Sequence, residues 1–195
     1  MPQLKIAILG SGKGSNFRAL LAEIQAGRIS ARPVLAASDV PGSGLLTLAE
    51  DLGIPTLVIH EEKYRTRLSD AVERRLVAEL QSAGADLVVL AGYMRLVKAP
   101  LLEAFPRRII NIHPSLLPAF PGLEAWKQAL AAEVPLTGCT VHFVDSGMDT
   151  GEVIAQSEVP ILPGDTPETL HARIQEAEHI LYPGVLARFA RYDLP

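Results

Sequence analysis

A chain of 195 residues with 48% hydrophobic and 21% charged residues is long enough to bury a sizeable core, and it is neither disordered nor fibrous. Its net charge of −4 comes without a basic block, which argues against nucleic acid as a main partner but leaves room for a local pocket for a small anion. With one cysteine, Cys139, no intramolecular disulfide can form, and no apolar run reaches membrane-span length. A soluble cytoplasmic protein is expected.

The elements read in chain order alternate between strand and helix. Residues 4–9 ("LKIAIL") form a buried strand, followed by a glycine-rich turn and a helix over about 15–27. Strands are predicted at 34–38, 56–59, 86–90 and 108–112. Helices are predicted over 44–52, from Tyr64 to Ala83 with Gly84 as the stop, and over 99–105. Continuous apolar strands alternating with helices define a parallel sheet covered on both faces. Beyond His113 the rhythm changes. A helix over 123–132 leads into "TGCTVHFV" and "EVIAQSEVPI", two strands close enough to pair antiparallel, and a last helix over 167–189 closes the chain. The fold class is therefore α/β, a Rossmann-like, mostly parallel sheet with an antiparallel C-terminal extension. With no linker or repeat, residues 1–195 read as a single domain.

Three motifs carry chemistry. "GSGKGSN", Gly10–Asn16, lies between the first strand and the first helix, where small residues and a helix start favour a phosphate. The plainer alternative is a tight turn in which Ser15 or Asn16 caps the helix. A P-loop would need Ser or Thr where Gly14 stands, and a dinucleotide fingerprint would need Gly or Ala at Ser15. Asp39, just past the second strand, sits near where a ribose-binding acid is expected, so a nicotinamide-binding module stays open. Asn111 and His113 end the fifth strand, where a parallel sheet binds its ligands, and an amide beside an imidazole suits a developing oxyanion. The other reading is a polar pair that ties down the proline-rich loop "PSLLPAFPG". "DSGMDTGE" supplies Asp145, Asp149 and Glu152 on a turn, whose plain reading is a solvated hairpin. His60, His142, His171 and His179 are scattered without metal-ligand spacing, so no metal is expected.

Together with "LAGYMRLV", "GCTVHFVDSGMDTGEVIAQ" and "AEHILYP", the motifs "GSGKGSN" and "NIHPSLLPAFPG" make the chain similar to the glycinamide ribonucleotide formyltransferases. These are folate-dependent transferases of purine synthesis. The resemblance covers nearly the whole chain and implies a formyltransferase fold, with about 1–112 as the nucleotide-binding half and about 113–195 as the folate and catalytic half. It implies that Gly12, Lys13, Gly14, Ser15 and Asn16 hold the ribonucleotide phosphate and that Glu178 contacts the ribonucleotide. Met94, Arg95, Leu96 and Val97 would line the folate pocket together with Asn111, Val144, Asp145 and Asp149. An arginine from "EKYRTRLSD", either Arg65 or Arg67 with Arg67 preferred, would also reach the folate. Asn111, His113 and Asp149 would be catalytic.

The implied reaction passes the formyl group of 10-formyltetrahydrofolate, a cosubstrate, to the amine of glycinamide ribonucleotide. Neither a metal nor a covalent enzyme intermediate is required, and the enzyme is expected as a monomer or homodimer with small-molecule partners. The nearest rival is a 10-formyltetrahydrofolate hydrolase, which shares the Asn–His–Asp constellation. It typically carries an N-terminal regulatory domain, for which a first strand at Leu4 is expected to leave no room.

Overall fold

The computed structural model describes residues 3–191. Strands β1 (Leu4–Leu9), β2 (Ala31–Ser38), β3 (Thr56–Val58), β4 (Leu87–Leu90), β5 (Ile109–His113), β6 (Leu136–Phe143) and β7 (Val153–Pro160) form one seven-stranded sheet. Its order is β3-β2-β1-β4-β5-β6-β7. Pairing is parallel from β3 across to β5, and antiparallel where β6 meets β5 and β7 meets β6.

Helices cover both faces because the parallel strands are apolar on both. In β1, Ile6 and Ile8 face a core shared with Phe17, Leu20, Leu45, Val185 and Phe189. These come from α1 (Ser15–Gln25), α2 (Gly44–Asp51) and α6 (Pro167–Ala190). Ala7 and Leu9 face the opposite core with Leu76, Leu80 and Leu101, from α3 (Asp70–Ser82) and α4 (Ala99–Ala104). This alternation follows from the two-residue strand period. Truncating a fully buried residue such as Leu80 would cost about 2–5 kcal/mol. A third cluster joins Cys139 and Val159 of β6 and β7 to Leu170 and Ile174 of α6, with Trp126 and Leu130 of α5 (Ala125–Ala131) against it. Burial pushes the Cys139 thiol up to about 12, so it serves as packing.

Three elements start two or more residues away from the sequence reading, and the other boundaries shift by at most two residues. The helix expected from Tyr64 starts at Asp70, because the preceding carbonyls are used elsewhere: Thr66 O accepts from Leu96 N, and Tyr64 O and Arg67 O accept from Arg95 Nη1. Ser69 takes the N-cap position, and Asp70 and Glu73 suit the positive end of the helix dipole. Strand β2 starts three residues before the expected Val34, through Pro33, where the β1 register shifts. Strand β3 pairs only with Ala36–Ser38, so Pro33 lies beside an open edge where its missing N–H does no harm. Helix α5 starts at Ala125 rather than Leu123.

Strand order positions the site. Strand β1 leads through α1 to β2 on one side, and its other neighbour is β4, so the direction of winding reverses between β1 and β4. In open α/β sheets the ligand crevice lies beyond the carboxyl ends of the strands at such a point. The register aligns Leu9 with Leu90, Leu90 with Asn111, and Asn111 with His142. At a strand spacing of about 4.8 Å this row spans about 14 Å. The glycine turn, the loop after β4 and the end of β5 therefore stand side by side. Tyr182, fully buried in α6, locks the row from behind by directing its hydroxyl to Leu90 O (2.9 Å) and Ile110 O (3.2 Å).

Candidate active site

The glycine turn is clamped at its base and open at its tip. A side chain at Gly10 would meet Ala91 O at 2.6 Å, and one at Gly44 would meet Lys13 O at 2.7 Å. Ser11 N donates to Gly92 O and Leu45 N donates to Gly12 O, which pins the turn between the end of β4 and the start of α2. Gly12 and Lys13 are exposed, and among the described residues no protein acceptor takes the amides of Gly12, Lys13 and Gly14. The cap of α1 is Gly14 itself, at φ 77° with no side-chain cap bond, which corrects the alternative that Ser15 or Asn16 caps the helix. Open amides at a helix N-terminus next to a lysine form a ready anion site.

Asn16 instead turns inward. Its Nδ2 donates to Glu178 Oε2 at 2.9 Å, while its Oδ1 is buried with no partner. Glu178 is 5% exposed, and burial raises its carboxyl to about 7 against the pull of the Asn16 bond.

At the other end of the row, Asn111 and His113 share a face of β5, and His113 meets Asp149 from the loop between β6 and β7. His113 Nδ1 lies 3.3 Å from Asp149 Oδ2, and His113 Nε2 donates to Phe120 O at 2.9 Å. A carbonyl only accepts, so Nε2 carries a proton, and Nδ1 faces the carboxylate. Asp149 takes a left-handed φ of 55° and accepts from Gly122 N at 2.8 Å, tying the two site loops together. Gly151 makes this course possible, since a Cβ there would fall 1.8 Å from Phe143 O.

His142 stands opposite Asn111 in the antiparallel ladder, and its Nε2 accepts from Asn111 Nδ2 at 3.2 Å. Its Nδ1 donates to Phe143 O at 2.7 Å, and burial holds it below the usual histidine range, so the ring is neutral with Nε2 bare. That fixes which way the Asn111 amide points and leaves its second N–H for a substrate. The signal was present in "TVHFV", where pairing with β5 places one histidine beside Asn111.

The proline-rich loop is held by hydrogen bonds as well as by its prolines. Thr140 Oγ1 donates to Ser115 O and accepts from Leu117 N and Gln156 Nε2, and Ser115 Oγ donates to Ala119 O.

On the remaining side, Met94 is exposed, Val97 is buried, and Arg95 and Leu96 lie between these extremes. Val144 N donates to Ile109 O, and Asp145 Oδ1 accepts from Gly147 N and Thr150 Oγ1, so this segment is a built turn. Arg67 is exposed, with its guanidinium 4.0 Å from the centre of the Tyr64 ring, and it pairs in register with Leu96; Arg65 is also exposed. Asp39 is spent within the protein, since Ser11 Oγ and Arg95 Nε donate to its two oxygens, and this overturns the ribose-binding role that kept a nicotinamide module open.

Open amides beside Lys13 and an Asn–His–Asp cluster stand at the two ends of one row at the switch point, in an α/β fold whose ligand crevice lies beyond the carboxyl ends of its strands. The formyl transferase family model matches residues 4–186, and the chain belongs to that family. It is similar to the glycinamide ribonucleotide transformylase 1 structure from Symbiobacterium toebii, at 47% identity and a TM-score of 0.93, covering 99% of this chain and 90% of that one. Phosphoribosylglycinamide formyltransferase of Bacillus subtilis is 42% identical over 182 residues, 93% of this chain and 92% of the relative. The trifunctional purine biosynthetic protein adenosine-3 of Drosophila pseudoobscura is 45% identical over 191 residues, but this chain spans only 14% of that relative's length.

Proposed function

We propose that this protein transfers the formyl group of 10-formyltetrahydrofolate to the amine of glycinamide ribonucleotide. The observation that carries the reading is the row itself, with open amides beside Lys13 at one end and the Asn111–His113–Asp149 cluster at the other. Gly12 to Asn16 hold the phosphate, and Glu178 reaches the ribonucleotide beside Asn16. Met94, Arg95, Leu96, Val97, Val144 and Asp145 border the folate, with Arg67 at the rim.

Attack of the amine on the formyl carbon places negative charge on the formyl oxygen. The N–H of Asn111 not taken by His142 donates to that oxygen. His113 contributes its Nε2–H once the substrate displaces Phe120 O, and Asp149 orients the ring from the other nitrogen. The same Asp149 sits where it can hold a water that carries the proton from the attacking to the leaving nitrogen. Because His142 aligns Asn111 and Asp149 aligns His113 before substrate arrives, little reorganisation beyond the release of Phe120 O is needed.

No described helix is long and apolar enough to cross a membrane. A cytoplasmic setting fits the single buried cysteine.

The test is absorbance of 10-formyl folate with purified protein, with and without glycinamide ribonucleotide. Deformylation that depends on the ribonucleotide and yields its formylated form is the expected result. Deformylation indifferent to the ribonucleotide would instead make water the acceptor and the protein a hydrolase.

A further inference from the structure

Asp39 belongs to neither substrate subsite of the proposed reaction, yet it joins them. It follows β2, and its carboxylate bridges two loops. Ser11 Oγ, next to the glycine turn, donates to Oδ1 at 2.6 Å, and Arg95 Nε donates to Oδ2 at 2.7 Å. The Asp39 and Arg95 side chains are only 9% and 11% exposed, so this is a charged pair largely removed from water.

Both donors continue the chain of contacts. Ser11 Oγ accepts from Met94 N at 3.0 Å, and Arg95 Nη1 donates to Tyr64 O at 2.6 Å and Arg67 O at 3.2 Å. One carboxylate thus fixes the 93–97 loop against the glycine turn on one side and the 64–67 segment on the other.

We propose that Asp39 is a positioning residue for the folate pocket, holding the 93–97 loop in its binding shape through Arg95 and Ser11. The proposal rests on the transfer reading above. Removing the carboxylate leaves the Arg95 guanidinium partly buried without its counter-charge, and the side chain leaves for solvent, releasing Tyr64 O and Arg67 O together. The glycine turn is less affected, because Ser11 N still donates to Gly92 O and Leu45 N still donates to Gly12 O. The Asn111–His113–Asp149 cluster shares no hydrogen bond with Asp39.

These differences define the readout. Steady-state kinetics of Asp39→Ala should show the KM for formyl folate raised about tenfold, with kcat within about twofold and the ribonucleotide KM within about threefold. Asp39→Asn, which keeps the shape and one acceptor oxygen, should restore part of the folate KM. A well-folded Asp39→Ala protein with an unmoved folate KM, or with kcat and both KM values degraded alike, would overturn the proposal. Should Asp39→Ala not fold, Ser11→Ala carries the test by removing the acceptor of Met94 N and one donor to Asp39. It should raise the folate KM about threefold, and no change would overturn the proposal. The wild-type protein in the same assay separates the two ideas. Wild-type transfer with an unmoved folate KM in the variants sinks the positioning role alone, whereas no wild-type transfer sinks the reaction and the role with it.

Discussion

The glycine turn and the proline-rich loop follow strands of the same sheet, yet they treat their polar groups in opposite ways. The turn is clamped only at its base, and no protein acceptor takes the amides of Gly12, Lys13 and Gly14 among the described residues. The loop after β5 satisfies its groups internally, through Thr140, Ser115, Gln156 and the Gly122–Asp149 bond. An anion site needs donors left free for the ligand, whereas a catalytic cluster needs side chains whose orientation is settled before the ligand arrives. In the proposed reaction, binding and chemistry are thus divided between two loops with different wiring.

Four substitutions probe this division. The largest effect is expected for His113→Ala, a loss of about 10³ in kcat with folate binding largely kept. A near-wild-type single-turnover rate would remove His113 from the chemistry. Gly14→Ala places a Cβ 3.0 Å from Leu45 Cα on a backbone at φ 77°, which distorts the turn. The KM for the ribonucleotide should rise about tenfold while the KM for folate holds. Equal changes in both would mean the two loops are not separate devices. Thr140→Val strips three hydrogen bonds from beneath the proline loop and should cost about 2 kcal/mol in denaturant unfolding, with a several-fold loss in kcat.

Glu178→Gln should have the smallest effect, and its sign depends on pH. The folded-state carboxyl is raised from its ordinary 4.5 to about 7, so it favours the fold fully below pH 4.5 and loses that contribution as pH climbs towards 7. Replacing it with a neutral amide that still accepts from Asn16 should therefore raise the melting midpoint by about 4 °C at pH 8. At pH 4 the two proteins should melt together. A constant difference across that range would show that the carboxyl's titration plays no part.

How much could be read beforehand varied with the range of the interaction. Helix and strand identities followed from periodicity, and the failure at Tyr64 is instructive. The 64–69 stretch has helical spacing, but its carbonyls are taken by Arg95 and Leu96, partners that local pattern cannot reveal. The resemblance groups Asn111, His113 and Asp149, and the fold sets Asp149 3.3 Å from His113 while Asn111 joins them through His142. His142 was passed over because its meaning lies in its register with Asn111, and Asp39 was read as a ribose acid because Arg95 lies 56 residues away.

The sequence by itself determined the alternation of buried strands and helices, the switch to antiparallel pairing after β5, and which loops are rich in glycine, proline and polar side chains. These follow from periods of a few residues and from turn chemistry, both local properties of the chain. Only the tertiary structure decided that Asn16 faces Glu178, that His142 orients Asn111, and that Asp39 serves Arg95 rather than a ligand. Each of these pairs joins residues far apart in the chain. Their meeting depends on strand order and register, which long-range burial selects among many arrangements that local preferences leave equally open.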